Sequence, residues 1–251
     1  AVEFSLKEVI ELISQANSWG VKEFVLSGGE PLVRDDIFEI LEFVRINNYH
    51  VGMLTNGILL KNALTKLSPY LISNTLSLSI SLDALSAQIH DDIRGKTGSF
   101  EATSDALKQL AKMKIDYPNI NFNVISIVLN KNLEELLPLA NFLKTLNVNS
   151  IQFQPLLANN LIMKERSRRV KYWISEERLP VLDKTIHSLM EFKKANGSLL
   201  RNSLNNLCLI KKYFRGLLTN QDVRCLHAFK TMLIASNGDV TTCFDCYGNV
   251  R

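Results

Sequence analysis

Gly28-Gly29-Glu30-Pro31 interrupts an apolar run, Phe24-Val25-Leu26, and puts two residues without side chains next to a carboxylate. Glycine removes the Cβ, so backbone carbonyls at such a point can approach a ligand closely. A phosphate loop would want glycines opening a helix with free N–H groups, often followed by Lys, Ser or Thr. Here the next polar side chain is an acceptor that repels phosphate. Carbonyls beside a carboxylate suit an ammonium group, with a tight turn as the plain alternative.

A second chemistry lies at the other end of the chain. Three of the four cysteines, Cys225, Cys243 and Cys246, fall within the last 27 residues. A disulfide scaffold would scatter its cysteines through a small secreted chain, so this clustering points to thiolate ligation in a reducing compartment and to a cytoplasmic protein. Zinc and iron–sulfur clusters both accept thiolates. Cys208, in "NNLCLIKKYF", reads as a packed thiol. Asn56 before Gly57 reads first as a turn residue, and His90 and Asp91 as loop anchors, since nothing marks them as an acid–base pair. The basic run from Lys164 to Lys171 reads as a solvated loop. Nucleic-acid binding is not expected from it, because only Tyr172 and Trp173 accompany the charges.

These residues need a frame. "FSLKEVIELISQANSWG" carries a capping box, Ser5 with Glu8, and stops at Gly20. "VKEFVLSG", "HVGMLTNG", "NTLSLSISLD", "NINFNVISIVLN" and "SIQFQP" read as five strands, each followed by a helix or a long loop. Asp35 is the expected cap of the helix in "RDDIFEILEFVRINN". A loop is expected before the helix "SFEATSDALKQLAKMK", and residues 176–215 read as helical with a break near Gly197. Such alternation indicates parallel β/α units. In "LSLSISLD", leucines and isoleucine alternate with Ser77, Ser79, Ser81 and Asp83, and Gln152 and Gln154 repeat the pattern. A central parallel strand is normally apolar on both faces. The polar face therefore means either a hydrated or ligand-filled interior, or an edge strand with one face in water.

"SGGEPL", "TNG" at 55–57 and "SLDALSAQIHDDIRGKTGSFE" together resemble the radical S-adenosylmethionine (radical SAM) superfamily over roughly residues 5–156. The resemblance implies an α/β fold, a partial (β/α)6 TIM-like barrel lacking its first strand and cluster loop. It also implies that Gly28, Gly29 and Glu30 meet the amino group of SAM. Ser81 would meet its ribose or carboxylate, and Arg94 would clamp the carboxylate. The expected reaction is reductive cleavage of SAM to a 5′-deoxyadenosyl radical. The electron would come from a flavodoxin- or ferredoxin-type donor, and the substrate would be a peptide, a protein or a small biosynthetic precursor. Members bind a [4Fe–4S] cluster through three cysteines in a loop after the first strand. No cysteine precedes Cys208, so those ligands are expected upstream of Ala1. Twelve residues separate Cys225 from Gly238 and four separate Gly238 from Cys243, a spacing similar to the opening of a SPASM or twitch auxiliary iron–sulfur module. The expected organisation is a barrel over 1–156, a basic loop and helical connector over 157–223, and a cysteine-bearing hairpin module over 224–251. A non-catalytic SAM- or partner-binding module with a zinc-stabilised tail is the alternative.

The bulk properties agree with either reading. A chain of 251 residues with 46% hydrophobic and 22% charged residues can bury a sizeable core, and a formal charge of +4 demands no acidic partner. No apolar run reaches membrane-spanning length, and the amphipathic start is not a signal peptide.

Overall fold

The computed structural model describes residues 3–21, 23–157, 171–219, 221–222 and 231–242. Its centre is a five-stranded sheet of β1 (Phe24–Leu26), β2 (Val51–Thr55), β3 (Leu76–Ser81), β4 (Phe122–Val128) and β5 (Ser150–Pro155), ordered as in sequence. All four pairings are parallel. Parallel neighbours require crossovers. These are provided by α2 (Ile37–Ile46), α3 (Leu60–Ile72), α4 (Ala87–Arg94) with α5 (Ser99–Asp116), and α6 (Leu136–Thr145).

The helix boundaries follow from local chemistry. α1 (Leu6–Ser18) begins at the expected capping box, the Ser5 hydroxyl accepting from the Glu8 N–H while the Glu8 carboxylate accepts from the Ser5 N–H. α2 begins one residue later than expected. Asp36 rather than Asp35 occupies the cap position, and it makes no cap bond because Arg34 holds its carboxylate. Part of the loop expected before α5 is helical: Ser86 caps α4, accepting from Ile89 N–H, and Gly95 ends it at φ +66°. α3 runs through Pro69, on the strength of an apolar stripe of Leu60, Leu64, Leu67 and Leu71. Beyond the sheet, α7 (Leu179–Asn196) and α8 (Leu204–Phe214) are separated at Gly197, as the sequence leads one to expect. Their buried residues Leu182, Ile186, Leu189, Leu207 and Phe214 join the same apolar core as the strands and barrel helices.

β2, β3 and β4 alternate strictly between buried and half-buried positions. Leu76, Leu78, Ile80 and Leu82 are fully buried beneath the helices, while Ser77, Ser79 and Ser81 stand on the other, inner face. β3 lies in the middle of the sheet, so the edge-strand explanation of its polar face is overturned. The border beyond β5 is closed by residues 200–202. Leu200 bridges to Ile151, Arg201 N–H donates to Ile151 O at 2.8 Å, and the Asn202 amide meets Phe153 N–H and C=O, both at 2.8 Å.

β6 (Leu233–Ile234) and β7 (Val240–Thr241) pair antiparallel around Asn237-Gly238, where Gly238 takes φ +90°. The strands are shorter than "MLIAS" and "DVTTC" suggest. Cys225, Cys243 and Cys246, and the basic run apart from Lys171, lie outside the described residues. Among the described residues, no helix is long and apolar enough to cross a membrane.

Candidate functional site at the strand ends

In a parallel sheet the loops at the carboxyl ends of the strands gather on one rim, and ligands bind there. The loop after β1 carries Gly28 and Gly29. Gly28 has φ +132°, which side-chain-bearing residues rarely adopt, and a Cβ built on either glycine would meet nothing within 4 Å. Their backbone is thus open to a ligand. Glu30 is fixed beside it. Its Oε1 accepts from the Thr55 hydroxyl at 2.7 Å and from Leu32 N–H at 3.3 Å, and its Oε2 accepts from Asn56 N–H at 2.7 Å. Glu30 therefore ties the β1 loop to the end of β2 and holds a negative charge next to the glycines.

Asn56 acts as a turn residue, its Oδ1 accepting from Ile58 N–H and its carbonyl accepting from the Thr103 hydroxyl. Gly57, at φ +84°, packs so tightly on Thr103 that an added Cβ would lie 2.6 Å from its Cγ2.

Ser81 ends β3, two strand spacings or about 10 Å from β1. It is half-buried on the inner face, level with Ile125 and Gln152. Arg94, the last residue of α4, reaches the same rim by a route the sequence did not suggest. Its Nη2 lies 2.7 Å from Oδ2 of Asp83, which is completely buried. Oδ2 receives no directed hydrogen bond there, so the contact is one of charge, while Oδ1 accepts from Ile127 N–H at 2.9 Å.

Around Asp83 is a buried polar knot. His90 is fully buried, and its Nδ1 accepts from Asp83 N–H at 3.2 Å, which leaves the proton on an Nε2 without a partner among the described residues. Burial above all holds its pKa down at about 4, with the Arg94 charge adding to this and Asp83 opposing it. Asn132 donates to Asp83 O and Ile127 O, both at 2.8 Å. Asp91 serves α5, accepting from Gly98 N–H, the Ser99 hydroxyl and Phe100 N–H. Burial opposes its ionisation, yet these bonds keep its carboxyl below the ordinary range. Both residues are anchors. Sequence reasoning placed Asp83 on a polar face but gave it no role; the visible signal was a carboxylate just past the end of an alternating strand.

Glycine backbone, a fixed carboxylate, a hydroxyl and a paired guanidinium thus share one rim. No group of three or more His, Cys, Asp or Glu able to hold a metal ion occurs among the described residues. Cys208 lies partly exposed on α8.

Residues 1–143 match the Radical SAM superfamily, more than half of the 251-residue chain. The chain belongs to that superfamily. It is 35% identical over 136 residues to the AdoMet-dependent heme synthase of Methanosarcina barkeri, covering 54% of this chain and 37% of that one. It is 30% identical over 153 residues to a probable GTP 3′,8-cyclase of Methanocaldococcus jannaschii, covering 59% and 49%. It is 32% identical over 135 residues to the subtilosin biosynthesis protein AlbA of Bacillus subtilis, covering 53% and 29%. Each match thus spans less than half of the relative. Among solved structures, Streptococcus suis SuiB bound to the precursor peptide SuiA superposes with a TM-score of 0.71 at 16% identity, over 96% of this chain and 53% of that one. This likeness shows the fold: a parallel sheet of the partial-barrel type.

Proposed function

We propose that this chain is the core of a radical SAM enzyme that cleaves SAM reductively and modifies a peptide, a protein or a small biosynthetic precursor. The observation that carries the reading is the open double-glycine backbone beside the tethered Glu30, at the rim of a sheet whose inner face is polar. When bound, SAM and a [4Fe–4S] cluster supply, on one-electron reduction, methionine and a 5′-deoxyadenosyl radical that takes a hydrogen atom from substrate.

The residues present fit SAM. Gly28 and Gly29 would offer carbonyls to its ammonium group from a backbone with open space where a side chain would stand, and Glu30 adds negative charge from a fixed position. Ser81 offers a hydroxyl to the ribose or carboxylate. Arg94 meets the carboxylate as a guanidinium already held by Asp83, not as a free cation. The protein's part is to bind, orient and shield; the difficult bond-breaking belongs to the cofactors. The cluster's ligands come from outside residues 1–207, which contain no cysteine. Cys225, Cys243 and Cys246 belong to an auxiliary [4Fe–4S] cluster, a reading supported by their spacing and by the β6–β7 turn at Gly238. Relatives named for haem, GTP and bacteriocin chemistry leave the substrate class open.

Anaerobic iron and sulfide reconstitution of the full-length protein tests the reading. A brown protein that forms 5′-deoxyadenosine from SAM and dithionite, and loses SAM affinity in Gly28→Val, is expected. A colourless, zinc-loaded protein that leaves SAM intact would favour a binding module.

A further inference from the structure

The inner face of the sheet is polar but uncharged. From Val25 on β1 to Gln154 on β5, its positions hold glycine, aliphatic residues, serine, asparagine or glutamine, and none ionises. Asn123 is spent on its neighbours, accepting from the Ser150 hydroxyl at 2.7 Å and donating to Asn121 at 3.3 Å. Ser77, Ser79, Gln152 and Gln154, together with the Ser81 assigned to SAM, make no side-chain hydrogen bond to any described residue, although β3 and β5, with β4 between them, bring them onto one face. Ser79 stands beside Asn123, and Ser81 and Gln152 flank Ile125 one level nearer the rim.

Apart from the Glu30 carboxylate beside the glycines, most of the charge on the described part of the rim is paired. Lys131 and Lys171 both bind the Asp92 carboxylate, Arg94 lies on Asp83, and Arg178 makes a two-pronged contact with Glu134 at 2.7 Å. Of the basic residues described there, Lys96 alone has no carboxylate partner among the described residues. A nucleoside triphosphate or a porphyrin carboxylate needs several cations or converging N–H groups to replace its hydration. Amides and hydroxyls instead need partners that both donate and accept, as serine and glutamine do.

We propose that the portion of substrate entering this face is an uncharged, amide- or hydroxyl-bearing residue of a peptide chain. The inference rests on the radical SAM reading and narrows its substrate class.

The test uses full-length, iron-loaded protein with SAM but without reductant. The probes are N-acetylated, C-amidated pentapeptides varied at the central residue, GTP, and coproporphyrin, with retention on immobilised protein read by mass spectrometry. Peptides with central Ser, Thr, Asn or Gln should be retained above those with Asp, Glu, Lys or Arg. Ser79→Ala combined with Gln152→Ala should lower that retention about tenfold, by removing two modest hydrogen bonds. Gln152→Glu, which keeps the shape and adds a charge, should abolish it, and serves if the double variant fails to fold. Equal retention of charged central residues would overturn the inference. So would saturable retention of GTP or coproporphyrin that the double variant weakens, or no peptide held above the double variant's level. Reductant is then added to the same protein. If no 5′-deoxyadenosine forms while neutral peptides are still retained, the radical SAM reading fails and the neutral face stands.

Discussion

Gly28 and Gly57 both take backbone angles that favour glycine, but their surroundings differ. At Gly57 an added Cβ meets Thr103 at 2.6–3.0 Å, so Gly57→Ala combines backbone strain with a clash in a buried turn. A loss of about 3 kcal/mol is expected in urea unfolding. Gly28→Ala meets open space, so its cost of about 1–3 kcal/mol is conformational alone, and it should weaken SAM binding. His90 makes a different prediction. Its pKa of about 4 lies below the ordinary 6.5, so between these values the unfolded chain binds the extra proton. Its contribution is intact above pH 6.5, declines as the pH falls to about 4 and is constant below that, a loss of roughly 3 kcal/mol. Urea midpoints at pH 7, 5.5 and 4.5 should show a steeper decline for the natural protein than for His90→Gln. Parallel slopes would remove His90 as the cause. The glycines and their carboxylate were legible because their types are unusual at a strand end. The Asp83–Arg94 pair was not, because it joins residues eleven positions apart across a turn whose helix has only eight residues.

At the scale of the element, the sheet border at β5 is held by the Leu200–Ile151 bridge, the Arg201 N–H bond to Ile151 O and one side chain. Asn202, 7% exposed, gives Phe153 both of its backbone hydrogen bonds. Asn202→Ala leaves two buried backbone groups unpaired and should cost about 2–3 kcal/mol in denaturant unfolding. Light scattering on warming should also show earlier association, since an uncovered strand edge invites pairing. Secure elements in the sequence were those with a strong period or a cap, such as α1 with Ser5 and Glu8. α4 was missed because eight residues span barely two turns, too few for an apolar stripe to stand out, although Ser86 and Gly95 mark its ends. Residues 60–72 carry Pro69, which disfavours a helix that tertiary burial of Leu60, Leu64, Leu67 and Leu71 nonetheless sustains.

For the whole molecule, five strands in parallel β/α units were readable from the alternation of strands and helices, whereas the central place of β3, which rules out an edge strand, is seen only in the structure. The closure at residues 200–202 was not readable, because it consists of one short bridge and an amide imitating a backbone. The connector is bound to the barrel by more than apolar contact. The Thr185 hydroxyl donates to Leu133 O and the Tyr213 hydroxyl donates to Leu156 O, while Trp173 packs on Tyr213 and Phe214 within the connector and so reports on it. Barrel and connector should therefore unfold together. In a Trp19→Phe background, Trp173 fluorescence and far-ultraviolet circular dichroism should give coincident urea transitions; a fluorescence change at clearly lower urea would show an independently melting connector.

The side-chain seal over Phe153 also gives the sheet a direction. A strand arriving from elsewhere in the chain, or from another molecule, finds the last position at β5 already taken, whereas β1 has a described neighbour on one side only. Among the described residues the sheet is open only at β1, so a strand added there docks next to the same loop that presents the two glycines.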